Sequence, residues 1–177
     1  EIVAFDAPNE INVTEKGIVN GGKHLKPHQV NKLVEERSDE VIFYDGRNAY
    51  EAKIGRFKNT IVPDVTTSRD FKKDIEEGEI SKYKDRPIIS YCTGGIRCEI
   101  LSAMMLNRGY KEVYQIDGGI VKYGEKFGDD GLWEGKLFVF DDRMKMGFSD
   151  KSKDIAECEN CGKKTSNMVN STNVRRK

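Results

Sequence analysis

Short apolar runs along the chain alternate with segments in which apolar residues recur every three or four positions. Continuous apolar runs are typical of strands buried on both faces of a parallel sheet, and the wider spacing is typical of amphipathic helices. The alternation predicts an α/β fold in which helices cover both faces of a central parallel sheet. The predicted strands are 41–44, 60–63, 87–89 and 112–116. The predicted helices are one that begins at Pro27, then 48–54, 71–77, 97–108 and 120–123.

One connection between these elements carries reactive chemistry. The segment SYCTGGIRCE, residues 90–99, joins a predicted strand to a predicted helix, so that Cys92 faces the first turn of the helix. Unpaired N–H groups and the positive end of the helix dipole favour an anion there, and therefore a thiolate over a thiol. Gly94 and Gly95 allow loop amides to turn inward, and Arg97 adds a permanent cation. We expect a cradle for an anionic sulfur, with Cys92 as the catalytic residue.

The same residues carry a family resemblance. The motif CTGGIR resembles the active-site loop of rhodanese-domain proteins. The longer CTGGIRCE, together with DGR at 45–47, LWEG at 132–135 and FVFD at 138–141, resembles one branch of them, the rhodanese-domain tRNA uridine hydroxylases. The resemblance extends from the first residue to about Cys161. It implies a rhodanese-like fold and an oxidoreductase that performs oxygen-dependent 5-hydroxylation of the wobble uridine of tRNA, with Cys92 as its essential thiol.

Further residues around the loop are candidates for substrate binding or redox chemistry. The D-x-R of Asp45 and Arg47 follows a buried strand, where parallel sheets place ligands, and the matching residues of rhodaneses support the active-site region. An ordinary turn with an ion pair is the alternative. Cys98 is either a resolving thiol for an oxidised Cys92 or a small helix residue packed against the sheet. The predicted substrate-binding residues are Thr93, Gly94, Gly95, Ile96, Arg97, Asp45 and Arg47.

The loop leaves other functions open. Cys92 and Arg97 are spaced as C-x4-R, one residue shorter than the C-x5-R of protein tyrosine phosphatases, so the cradle suits one sulfur atom better than a whole phosphate. A sulfurtransferase that passes on a persulfide of Cys92 is the main alternative to hydroxylation, because both reactions need the same activated cysteine. A non-catalytic interaction domain is a third hypothesis, and the intact loop argues against it.

Composition helps to decide between nucleic-acid-binding, membrane and secreted proteins. Thirty lysine and arginine residues balance thirty aspartate and glutamate residues among the 177, so net charge neither favours nor excludes nucleic acid. No apolar run approaches the ~20 residues that span a bilayer, and no secretory signal is evident. Four cysteines are too few for a secreted disulfide scaffold of this size, and a reactive thiol suits the cytoplasm.

A second cysteine pair lies near the C-terminus. Cys158 and Cys161 are spaced as C-x2-C, which is half of a zinc site, and the sequence supplies no second pair. Zinc is the cofactor that this pair suggests; a disulfide, an open redox pair and a truncated zinc knuckle are the alternatives. No flavin or iron site is evident.

The chain divides into three predicted parts. Residues 1–22 form an N-terminal arm or linker, 23–128 the rhodanese domain, and 129–177 an irregular extension that holds the C-x2-C pair and a basic tail at 162–177. The chain begins with Glu1, and the related hydroxylases carry a ferredoxin-like domain before this point. The resemblance therefore implies a fragment of a longer protein, with tRNA as partner and most RNA affinity in the missing domain.

Overall fold

A computed structural model describes residue 5, residues 10–15 and residues 17–168. The strands of these residues are β1 (Val13–Thr14), β2 (Gly17–Ile18), β3 (Lys23–Leu25), β4 (Ile42–Asp45), β5 (Gly55–Phe57), β6 (Thr60–Ile61), β7 (Pro87–Tyr91), β8 (Glu112–Ile116), β9 (Trp133–Gly135), β10 (Leu137–Phe138) and β11 (Lys145–Met146). The α-helices are α1 (Pro27–Arg37), α2 (Ala49–Ile54), α3 (Asp70–Glu77), α4 (Ile96–Asn107) and α5 (Gly119–Phe127). Short 3₁₀ helices occupy Ser38–Glu40 and Glu79–Tyr83.

Five parallel strands form the central sheet, in the order β3–β8–β7–β4–β6. The predicted α/β fold with a parallel central sheet is therefore confirmed. Strand β7 lies in the middle of the sheet, and the chain leaves it directly into the loop of Cys92. Strand β6 lies at an edge of the sheet. This position fits Pro63, just after the strand, because proline cannot donate a ladder hydrogen bond.

Alternate side chains of the central strands enter two separate apolar cores. Tyr44 and Ile88 pack with α3 and α4 on one face of the sheet. Phe43 and Ile89 pack with α1 and α5 on the other face. Because successive side chains of a strand point to opposite faces, a strand buried on both faces needs a continuous apolar run. The helices on the two faces were predicted from those runs, and the structure contains them.

Some elements differ from the sequence prediction. The sequence analysis did not predict the edge strand β3, because no apolar run marks it; two of its three residues are exposed. The β1–β2 hairpin was likewise expected to be a loop. Helix α5 continues to Phe127, four residues beyond the predicted end at Tyr123.

The residues after α5 pack back onto the domain. Strand β9 pairs antiparallel with β5, and β10 pairs antiparallel with β11. Trp133 is buried against Phe57 and covers part of the apolar core. Residues 169–177 of the basic tail and residues 1–4, 6–9 and 16 of the arm lie outside the described residues. Among the helices that are described, none is both long enough and apolar enough to cross a membrane.

Candidate active site

Cys92 lies between the end of β7 and the start of α4, as predicted. Its side chain is buried, with 2% of its surface exposed. The Gly95 amide donates a hydrogen bond to Cys92 Sγ at 3.2 Å, and the Cys98 amide also donates to this sulfur. Gly95 adopts a φ of 95°, a conformation that side-chain-bearing residues rarely adopt, and this conformation turns its N–H towards the sulfur.

A second helix fixes the loop from its other side. The first amides of α5 donate to loop carbonyls, Ile120 N–H to Cys92 O at 3.0 Å and Val121 N–H to Thr93 O at 3.1 Å. Gly119, with a φ of 63°, passes so close that a Cβ there would lie 2.5 Å from Cys92 O. A side chain would force the loop and α5 apart, so this position requires glycine.

Arg97 is held at one side of the loop by a buried carboxylate. Its guanidinium donates to Glu51 Oε1 at 2.9 Å and to Glu51 Oε2 at 3.3 Å, and it reaches Thr93 Oγ1 at 3.5 Å. Glu51 has no exposed surface. It also accepts the Asn48 amide at 3.1 Å, which caps α2. The sequence analysis missed Glu51 as a site residue, because the N-x-x-E spacing signals a helix cap and not a partner for Arg97.

Asp45 and Arg47 are a buried ion pair beneath the loop. Arg47 Nε and Nη2 donate to the two Asp45 oxygens at 2.9 and 2.7 Å, and neither side chain has exposed surface. Arg47 also donates to Gly55 O, and Tyr91 donates to Asp45. Direct substrate contact, which the sequence analysis predicted for both residues, is not available to fully buried side chains whose hydrogen bonds are already made. Their placement fits the alternative of an ion pair, here one that braces the base of the site.

The other predicted loop residues differ in exposure. Gly94 and Ile96 are exposed, Ile96 with 67% of its surface, while Thr93 and Gly95 are half-buried. Arg97 is half-buried by its contact with Glu51. The exposed residues at the loop crest are therefore the ones a substrate reaches first, and their substrate contacts stay a prediction.

The surroundings of Cys92 favour its thiolate form. A hydrogen bond from the Cys98 thiol is the largest cause that lowers the pKa of Cys92 to about 6, and burial opposes it. The charge of Arg97 and the amides of Cys98 and Gly95 add to the lowering. Burial raises the pKa of Cys98 well above its ordinary value, and the neighbouring Cys92 raises it further. The surroundings therefore favour the thiolate at Cys92 over the thiolate at Cys98.

We expect the alkylation rate of Cys92 by iodoacetamide to fall as the pH is lowered through about 6, because only the thiolate reacts and it is lost below its pKa. The measurement is the rate against pH in a Cys158→Ala/Cys161→Ala background, which removes the two more exposed thiols. An ordinary free thiol has a pKa of about 8.5. A midpoint at or above that value would contradict the activated thiolate.

The C-x2-C pair lies in the extension, in a turn of its own. Cys158 N–H donates to Lys163 O and Gly162 N–H donates to Cys158 O, at 2.9 and 2.8 Å. The amides of Asn160 and then Cys161 lower the pKa of Cys158, so the turn favours a thiolate. Within the described residues, no group of three or more potential metal ligands comes together. Zinc binding by Cys158 and Cys161 therefore stays a prediction.

Two models of known protein families match the sequence of this chain. A family model described as the rhodanese-like domain matches residues 26–126, which include the Cys92 loop and the central sheet. The chain belongs to the rhodanese-like family. A second model, described as the rhodanase C-terminal region, matches residues 134–175 of this rhodanese-like chain.

Curated relatives match nearly the whole chain. A protein of Corynebacterium urealyticum is 62% identical over 98% of this chain, and one of Arthrobacter is 57% identical over 98% of it. Both are named tRNA uridine(34) hydroxylase. The chain spans 58% and 59% of their lengths.

Solved structures share the fold. The rhodanese-like domain of an Anabaena protein, solved by NMR in solution, has a TM-score of 0.52 and 16% sequence identity. The match covers 77% of this chain and 93% of that domain. At this identity the likeness supports the rhodanese-like fold alone.

Proposed function

We propose that the protein to which this chain belongs hydroxylates the wobble uridine of tRNA at C5 in an oxygen-dependent reaction, with Cys92 as its essential thiol. The observation that carries the proposal is the near-complete match to proteins named tRNA uridine(34) hydroxylase. The Cys92 loop supports it, because a hydroxylase of this family needs an activated cysteine. A tRNA substrate also implies that the protein works in the cytoplasm.

The loop residues have separate roles in this proposal. The amides of Gly95 and Cys98 stabilise the Cys92 thiolate, and the α5 amides keep the loop carbonyls turned away from it. Arg97 is fixed by Glu51 at the edge of the site, where it offers a cation to a polar substrate. Ile96 presents apolar surface at the loop crest, suited to the face of a base.

The test is mass analysis of the wobble uridine in cells that lack the full-length gene. We expect the 5-hydroxyl group of the wobble uridine to be absent from these cells and to return when the gene is restored. Persistence of the modification would overturn the proposal. Loss of thiolated nucleosides, with hydroxylation intact, would instead favour sulfur transfer through a Cys92 persulfide.

We propose further that this chain supplies the chemistry while the rest of the longer protein supplies most of the tRNA affinity. The chain has no net charge, whereas RNA-binding surfaces are usually basic. Its acid-free basic stretch, 162–177, contains no aromatic residue on which an unpaired base could stack. The wobble base lies in a single-stranded loop and must be held by its face as well as its backbone.

We therefore expect this chain to bind tRNA more weakly than the full-length protein at the same salt concentration. Filter binding or fluorescence anisotropy of labelled tRNA measures both. The salt must be fixed, because phosphate contacts weaken steeply as salt rises. Equal affinities would show that the rhodanese-like domain and its extension are sufficient for full tRNA affinity.

We also propose that Cys158 and Cys161 bind zinc only together with ligands from another chain or another part of the longer protein. Two thiolates complete half of a tetrahedral site. We expect this chain, dialysed after exposure to Zn²⁺, to retain much less than one equivalent of metal. A Cys158→Ser/Cys161→Ser variant gives the background. One tightly held zinc per monomeric chain, lost in that variant, would contradict the proposal.

A further inference from the structure

A row of three aromatic rings joins α2 to the extension. Tyr50 of α2 packs edge-to-face against Phe138 of β10, with ring centroids 5.4 Å apart. Phe138 packs in the same way against Phe140, with ring centroids 5.0 Å apart. Phe138 is buried, but 38% of Tyr50 and 69% of Phe140 are exposed. The packing of β10 on α2 therefore explains Phe138, whereas the exposed rings of this aromatic row need another explanation.

One end of the aromatic row adjoins the Cys92 loop. Tyr50 directly precedes Glu51, whose carboxylate accepts a hydrogen bond from Arg97 of the loop at 2.9 Å. Ile96, next to Arg97, is itself exposed at the loop crest. Exposed apolar side chains that are scattered singly are ordinary on protein surfaces, but a group of them beside a reactive residue indicates a binding surface.

Ion pairs flank the aromatic row. Arg143 binds Asp141 at 2.6 Å in the connection between β10 and β11. Lys53, three residues after Tyr50 in α2, lies 3.5 Å from Glu159. Because each of these cations has a carboxylate partner, the surface offers a ligand ring area rather than positive charge. Phosphates bind to cations, whereas the faces of unpaired nucleobases stack on aromatic side chains, so the chemistry of this surface suits bases.

We propose that the aromatic row is a stacking platform for the unpaired bases next to the wobble uridine of tRNA, with Phe140 as its main contact. The inference rests on the proposed function, because it concerns how the same substrate reaches Cys92. A uridine that enters the Cys92 loop brings its neighbouring nucleotides with it, since they are covalently joined, and they arrive at the surface beside the loop. The platform orients these bases, and the phosphate contacts that supply most of the affinity lie elsewhere in the longer protein.

The experiment measures the Kd of the full-length protein for two anticodon stem-loop RNAs. One RNA is intact, and the other lacks the bases on either side of the wobble uridine. We expect Phe140→Ala to weaken binding of the intact RNA by about 5- to 150-fold, the effect of losing one base–aromatic stack. Binding of the abasic RNA should hardly change, because the stack is already absent from it. Equal weakening for both RNAs, or no weakening for either, would overturn the proposal.

Two further variants separate stacking from other effects of the substitution. Phe140→Trp keeps a ring and should bind the intact RNA at least as tightly as the unsubstituted protein. Val13→Ala removes an equally apolar side chain, 54% exposed in β1, and should bind both RNAs normally. The slope of log Kd against log salt should be the same in all variants, since no phosphate contact is lost. A flatter slope for Phe140→Ala would contradict stacking.

Another part of the longer protein is the other possible occupant of the aromatic row, and thermal unfolding distinguishes it from RNA. If Phe140→Ala lowered the Tm of the full-length protein but not that of this chain, the row would be an internal interface and the proposal would be wrong. The binding measurements need no oxygen. Stacking without hydroxylation would therefore refute the proposed function alone, and hydroxylation without a difference between the two RNAs would refute this inference alone.

Discussion

We expect the replacement of Cys92 by serine to abolish the proposed hydroxylation of the wobble uridine while leaving the fold intact. A serine hydroxyl stays protonated at neutral pH, whereas the pKa of Cys92 is about 6, so the variant has no anion in the cradle. Loss of an essential nucleophile typically costs at least about 10³-fold in rate. Mass analysis of the modified nucleoside measures it, in cells that carry only the full-length Cys92→Ser protein.

The control for this variant is Glu35→Gln, a similarly small change at an exposed residue of α1 that belongs to neither cysteine site. It should leave hydroxylation unchanged. Thermal unfolding of both variants shows whether the fold is preserved. Substantial hydroxylation by a correctly folded Cys92→Ser protein would place the chemistry elsewhere.

Replacing Arg47 by methionine will strongly destabilise the chain. Arg47 and Asp45 are fully buried, so removal of the guanidinium leaves an uncompensated carboxylate in the interior. Breaking a buried ion pair in this way typically costs about 3–5 kcal/mol in the free energy of unfolding. Urea denaturation followed by circular dichroism measures the change.

The chain contains its own control for this prediction. Arg143 pairs with Asp141 at the same D-x-R spacing, but 66% and 47% of these two side chains are exposed. Arg143→Met should therefore cost less than about 1 kcal/mol. Adding Asp45→Asn to Arg47→Met removes the buried charge and should restore part of the lost stability. Equal changes in the free energy of unfolding for the two arginine substitutions would show that burial does not determine how much the ion pair contributes to stability.

The sequence predicted the position of Cys92 in the fold well because the determinants of that position are local. A strand, two glycines and a helix start within a few residues of Cys92, and this order alone places the sulfur at a helix N-terminus. The parallel sheet was predictable for a related reason. Strands such as β7 are buried on both faces, and their continuous apolar runs are typical of a parallel sheet covered by helices on both sides.

The residues around the centre were less predictable because their roles depend on distant contacts. Glu51 and Arg97 form an ion pair although they are 46 positions apart in the sequence, and no local sequence pattern indicates that pairing. Asp45 and Arg47 were expected to face the substrate from their place at a strand end. Strand ends indicate which edge of the sheet a residue occupies, but not whether its neighbours leave it any exposed surface.

The packing of Trp133 has a consequence for where the folding unit ends. The matched rhodanese-like region stops at residue 126, yet the indole lies beyond it and packs on Phe57 with ring centroids 5.3 Å apart. The Arg47 guanidinium also lies 5.3 Å from the centroid of this indole. A chain cut at the family boundary would expose that cation and the rings around it to water. The region that the rhodanese-like domain model matches is thus shorter than the region that must fold together, and the extension contributes to the stability of the rhodanese-like domain.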